Sequence, residues 1–93
     1  MTLAFHELMY YVYVLKSLID RKYYYGFTED IERRIKSHNQ GKVKSTESRR
    51  PLNIVYYEIV PDITSTRRKE KYFKSGFGRK YIRSKIRALS SNG

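Results

Sequence analysis

The chain lacks cysteine altogether. That excludes disulfide staples, thiolate nucleophiles and cysteine zinc sites, and it fits a reducing, cytoplasmic setting. It also lacks any apolar run long enough to span a bilayer, so no membrane partner is expected. Its opening, "MTLAFHELMYYVYVL", has no basic leader and is interrupted by His6 and Glu7, unlike a secretory signal. Internal repeats and low-complexity tracts are missing too, apart from the polar end "SSNG". Acid is scarce: nine Asp and Glu face twenty Lys and Arg, leaving a formal charge of +11 on 93 residues. One small domain is the expected size class.

The charge is uneven. From Ile63 to Gly93 there are ten Lys or Arg and a single acid, Glu70. Such a field attracts polyanions, of which nucleic acid is the commonest, although a basic surface can also serve solubility alone. Ten of the fourteen aromatic residues are tyrosine, a side chain that can stack on a base and hydrogen-bond a phosphate.

Periodicity predicts the order ββαβαα, an α/β (α+β) domain with a three-stranded antiparallel or mixed sheet flanked by helices. Residues 1–9 form a lead-in, 10–89 the domain and 90–93 a disordered tail. "YYVYVLK" and "KYYYGF" read as a strand hairpin around "SLIDR". Pairing Lys16 with Arg21 would set Tyr13 opposite Tyr24. Of the three successive tyrosines, Tyr23 and Tyr25 are expected to pack one side of the sheet while Tyr24 looks out at a phosphate. Thr28 is the expected cap of a helix with Ile31, Ile35 and His38 on one face, ending where Asn39 or Gly41 turns left-handed. "LNIVYYEIV" is apolar on both sides, with Leu52, Ile54 and Tyr56 sharing a face, and is expected in the middle of the sheet. A second helix is expected over 64–75, and a third from Gly78, burying Ile82, Ile86 and Leu89. Gly76 and Gly78 are read as turn glycines.

The succession "YYVYVLKS", "YYGFTEDIERRIKSHN", "LNIVYYE" and "RRKEKYFKSGFGRKYI" resembles the GIY-YIG nuclease domain, most of all its small stand-alone bacterial members. Matched residue by residue, the resemblance implies Tyr13 and Tyr24 as the functional tyrosines, Arg34 and His38 on the first helix, and Glu70 as the metal ligand. Tyr11 replaces the first glycine of the family motif and Tyr25 replaces its second isoleucine. An asparagine found downstream of the glutamate in some members has no counterpart between Glu70 and Ser91. The activity that the resemblance implies is that of a Mg²⁺-dependent (or Mn²⁺-dependent) endonuclease acting on DNA, in repair or recombination.

The residue types suit that chemistry in their own right. Arg34 is a permanently charged fork for phosphoryl oxygens. Glu70 is a hard oxygen ligand for Mg²⁺. Either Tyr13 or Tyr24 could take a proton from an attacking water, since neighbouring cations favour a phenolate, and His38 could relay it. Lys42, Lys44, Arg49, Arg50, Arg67, Lys74, Arg79 and Lys80 are the expected backbone-phosphate contacts. The competing expectations are a non-catalytic nucleic-acid-binding module of the same fold and a domain that docks an acidic protein.

Overall fold

A computed structural model describes residues 9–90. The lead-in and the tail fall outside those residues except for Met9 and Ser90. Strands β1 (Tyr10–Ser17), β2 (Tyr23–Thr28) and β3 (Leu52–Val60) form one antiparallel sheet, and helices α1 (Ile31–Asn39), α2 (Ile63–Lys74) and α3 (Gly76–Ser90) pack on it. A single 3₁₀ turn, Glu47–Arg49, interrupts the loop before β3. The expected ββαβαα order holds. None of the described helices is long and apolar enough to cross a membrane.

The sheet order is β2-β1-β3, so β1 is central and the expectation for β3 is corrected. Both strands are apolar on two sides, but only β1 buries both: Val12 and Val14 on one face and Tyr13 and Leu15 on the other are sealed from solvent. β3 leaves Tyr57 and Ile59 half exposed. A second correction concerns its faces. The register slips between Val14 and Leu15, so Leu15 pairs with Ile54 while Val14 pairs with Tyr56. This bulge places an extra residue in β3 and reverses its alternation. Leu52 and Ile54 therefore join the face under α1, while Tyr56 joins the face under α2 and α3.

The hairpin register also differs from the expected one. Lys16 pairs with Tyr23, Tyr13 with Gly26 and Leu15 with Tyr24. The four-residue loop is closed by Ser17 and Lys22, with Arg21 left-handed at φ 63°. Ser17 is buried and sets this loop: its hydroxyl accepts from the amides of Ile19 and Asp20 and donates to the carbonyl of Arg49. Because the slip is two residues, Tyr13 and Tyr24 still share a face.

The two faces differ in filling. Val12, Val14, Val60, Phe73 and Ile82 form one core, with Tyr23, Tyr25 and Phe27 packed against it. Each such fully buried apolar side chain contributes roughly 1.5–3 kcal/mol. Tyr13, Leu15 and Leu52 form the other, closed by Ile31 and Ile35 of α1. Asp30, not Thr28, caps α1 by accepting from the Arg33 amide at 3.1 Å; Thr28 instead takes the Asp30 amide and ends β2. Gly41 turns left-handed at φ 78°, which leaves the Asn39 side chain free to clamp both backbone groups of Leu52. That clamp fixes α1 against the sheet.

α2 starts at Asp62, whose carboxylate accepts from the Ser65 amide at 2.7 Å. Ser75 separates α2 from α3, which begins at Gly76, two residues earlier than expected. A Cβ at Gly78 would lie 1.7 Å from the Tyr72 carbonyl oxygen, so this glycine permits the tight turn between the helices. Ile82 and Ile86 face the core as expected, whereas Leu89 is largely exposed, lining a shallow groove beside Ile54–Tyr57 of β3.

Candidate active site

Four elements deliver the expected residues to one place. Tyr13 (β1), Tyr24 (β2), Arg34 and His38 (α1) and Glu70 (α2) all line a single open cleft of about 550 Å³. Arg34 and His38 point the same way because they are one helical turn apart. Tyr13 can reach them because it crosses over Gly26: a Cβ there would sit 2.5 Å from the phenol oxygen. The glycine is thus a space for Tyr13, a role that its sequence position alone does not reveal.

Tyr13 is only 2% exposed, and its oxygen accepts from Arg34 Nε at 3.2 Å and lies 3.0 Å from His38 Nε2. His38 Nδ1 is 2.7 Å from the Thr46 hydroxyl, which can donate onward to the Val43 carbonyl at 3.4 Å. A guanidinium only donates. Ordering the protons so that every donor finds an acceptor within the protein gives one direction: Tyr13 to His38, His38 to Thr46, Thr46 to Val43. In that order Nε2 of His38 is the bare nitrogen.

Burial pushes the Tyr13 phenol above its ordinary range, and the hydrogen bond and charge of Arg34 oppose this without overcoming it. The expectation that cations would favour a phenolate is corrected here: desolvation wins. Burial also lowers His38, and the Arg34 charge adds to the effect, so the imidazole is held neutral and able to accept.

Tyr24 lines the cleft, but its hydroxyl does not look out. It donates to Asp20 Oδ2 at 2.6 Å, and this bond to a carboxylate is the main reason its phenol is raised. Asp20 is in turn 3.4 Å from Arg49. Glu70 sits 3.5 Å from Lys74, one turn along α2, and its charge is felt at the Tyr13 phenol.

The expected phosphate contacts divide. Lys74 and Arg79 line the cleft, and Lys80 lines a separate groove on α3. Lys42 and Lys44 are exposed on the loop whose Val43, Ser45 and Thr46 form one cleft wall, and Arg67 is exposed on α2. Arg49 is turned to Asp20, and Arg50 donates to the Glu47 carbonyl. Sequence reasoning missed Thr46 and Asp20. Nothing in "KVKSTES" or "SLIDR" marks either one, since each acquires its part only when the hairpin or the loop folds back onto Tyr24 or His38.

The family model of the GIY-YIG catalytic domain matches residues 9–82. The chain belongs to the GIY-YIG family. This is a domain of endonuclease type whose substrate class is nucleic acid. Among curated relatives, it is 39% identical over 66 residues to a UPF0213 protein of Syntrophus aciditrophicus, spanning 69% of this chain and 75% of that one. A UPF0213 protein of Haloquadratum walsbyi is 33% identical over 85 residues, covering 90% and 89% of the two chains. The solution NMR structure of a UPF0213 protein from Bacillus halodurans superposes with a TM-score of 0.52 at 34% identity, covering 82% of this chain and 83% of that one.

Proposed function

We propose that this GIY-YIG domain is a Mg²⁺-dependent or Mn²⁺-dependent endonuclease that hydrolyses DNA phosphodiesters in the cytoplasm, in repair or recombination. The observation that carries the reading is the convergence of Tyr13, Tyr24, Arg34, His38 and Glu70 on one cationic cleft.

The donor set fits the ion. Among the described residues no three His, Asp or Glu gather as a ready-made metal cage. Mg²⁺ does not require one, because it commonly takes one or two carboxylates and keeps water and phosphate oxygens for the rest. Glu70 is that single carboxylate, lining the cleft beside Lys74. A divalent ion bound there would neutralise charge on the phosphoryl group and leaving oxygen.

The chain's own groups divide the remaining work. Arg34 is exposed to the cleft while anchored through Nε to Tyr13, leaving its terminal nitrogens for non-bridging phosphate oxygens. As water attacks phosphorus, its proton passes to the Tyr13 oxygen while Tyr13 gives its own to His38 Nε2. His38 becomes the imidazolium and the P–O bond to the leaving oxygen breaks. Burial discourages a free phenolate, so a transfer in which Tyr13 stays protonated avoids that cost. Tyr24, whose proton is held by Asp20, is left only an oxygen lone pair, which can accept from the attacking water.

The Glu70–Lys74 pair favours one competing reading, a nucleic-acid-binding module without catalysis, since it already neutralises the carboxylate. Incubating the purified chain with plasmid and branched DNA separates the two. The proposed nuclease nicks DNA with Mg²⁺, is silent in EDTA, and loses cutting on Arg34→Ala or Glu70→Ala while remaining folded. Binding that is indifferent to EDTA and to Glu70→Ala, with no product on any substrate, supports the binding module instead.

A further inference from the structure

Beyond the cleft, the cations of α3 form a path that ends on an exposed ring. Downstream of Glu70 the chain has seven Lys or Arg and no acid. Arg79 belongs both to the active cleft and to a second groove of about 310 Å³, which it shares with Tyr23, Tyr25 and Arg83. Arg83 belongs in turn to a third groove of about 700 Å³, lined by Tyr72, Phe77, Lys80 and Arg87. Arg79, Arg83 and Arg87 recur every four residues, covering roughly 12 Å of helix. Neighbouring grooves thus share an arginine, Arg79 between the first two and Arg83 between the second and third.

Phe77 is the feature that plain charge does not explain. It is 81% exposed at the start of α3, next to cations, in a protein that has buried Phe73 completely. Tyr72 beside it is half exposed, yet its ring is held 6.2 Å from those of Phe73 and Tyr81. A free ring next to a supported one, edged by Lys and Arg, is the composition that takes an unpaired base: aromatic faces stack any base and the cations follow the phosphates.

We propose that α3 carries a single-stranded nucleic-acid track, running from the cleft over Arg79 and Arg83 to Phe77, on which an unpaired base of the substrate stacks. The track deepens the nuclease reading by assigning it substrates that combine a duplex with an unpaired strand. A lipid surface is disfavoured because the cations run into the cleft and the exposed Phe77 and Leu89 of α3 lie about 120° apart around the helix, where membrane helices present one broad apolar face.

Binding measured in EDTA, where nothing is cut, provides the test. A labelled blunt duplex is compared by fluorescence anisotropy with the same duplex bearing a single-stranded tail. The tail is expected to strengthen binding about tenfold, and Phe77→Ala to remove that gain, in line with base–aromatic stacking. Arg83→Gln is expected to flatten the log–log salt dependence by about one. Circular dichroism confirms that each variant is folded. A tail preference that survives Phe77→Ala overturns the track, and so does wild-type protein that ignores the tail. Phe77-dependent self-association, or binding to phosphatidylserine vesicles, without any tail preference overturns it as well. Because no cleavage enters the measurement, a failure to cut DNA with Mg²⁺ would count against the nuclease reading alone.

Discussion

Two tyrosine clusters lie on opposite faces of the same small sheet. Under α2 and α3, the Tyr56 and Tyr81 hydroxyls donate to Glu58 Oε2 at 2.5 and 3.0 Å, and Lys69 holds Oε1 at 2.7 Å. Under α1, Tyr13 meets His38 and Arg34. Tyr56 and Tyr13 are both raised, chiefly by burial. The difference is in what receives the proton. Glu58 is already saturated by three donors, and burial's tendency to raise it is outweighed by those bonds, so it stays below the usual carboxylate range. His38 is neutral, backed by Thr46, and opens with its tyrosine onto a cleft. A perturbed phenol does not identify a catalytic site; the acceptor behind it and the space in front of it do.

The largest expected effect separates the clusters directly. Tyr13→Phe removes the proton carrier and lowers the single-turnover cleavage rate by about 10²–10⁴-fold. Tyr56→Phe removes a hydrogen bond to a charged group, which costs roughly 1.5–3 kcal/mol of stability in urea unfolding and leaves cleavage by the folded fraction unchanged. If Tyr56→Phe slowed cleavage as much as Tyr13→Phe, the division would be wrong.

Gly26→Ala tests the cleft side by geometry alone. The new methyl falls where the Tyr13 phenol lies, so the ring must leave Arg34 and His38. Cleavage should drop by at least tenfold, and overpacking should cost about 1–3 kcal/mol of stability. Wild-type cleavage by this variant would show that Tyr13 need not lie over the glycine.

The smallest effect sharpens the comparison by pH. His38 is depressed in the folded protein, so between its folded value and the ordinary value of about 6.5 the unfolded chain binds more protons. Stability falls as pH is lowered through that window, and cleavage falls at its lower end, where the folded His38 itself protonates and an imidazolium cannot accept from Tyr13. Glu58 is a depressed carboxylate, and its contribution is present above about 4.3 and lost only as pH drops further, in a window shared by Asp20 and Asp62. Urea midpoints measured from pH 7.5 to 3 should therefore decline in two stages, with the upper stage absent in His38→Gln. A single stage below pH 5 for both proteins would contradict the neutral, buried histidine.

Much of the molecule is legible in its sequence, and particular residues show where legibility stops. The alternation of "YYVYVLKS", the i, i+4 pairs of α1 and the stops at Gly41 and Asp62 are local, so the element order is readable from them. Five spaced residues are enough to point to the family and to a shared cleft. Which apolar strand is central is not readable, because β1 and β3 have the same two-sided pattern and only the pairing of β2 and β3 with β1 distinguishes them. The bulge at Val14 and Leu15 is equally hidden, since one extra residue leaves no mark on composition.

The sequence by itself determined the chain's charge, its helix and strand periods, and which few side chains could do phosphoryl chemistry, because these depend on residue type and near neighbours. Only the tertiary structure decided that Tyr24 is held by Asp20, that His38 is oriented by Thr46, and that Tyr13 rests over Gly26. Hydrogen bonds and van der Waals contacts act over a few ångströms, and folding alone brings those partners within that reach.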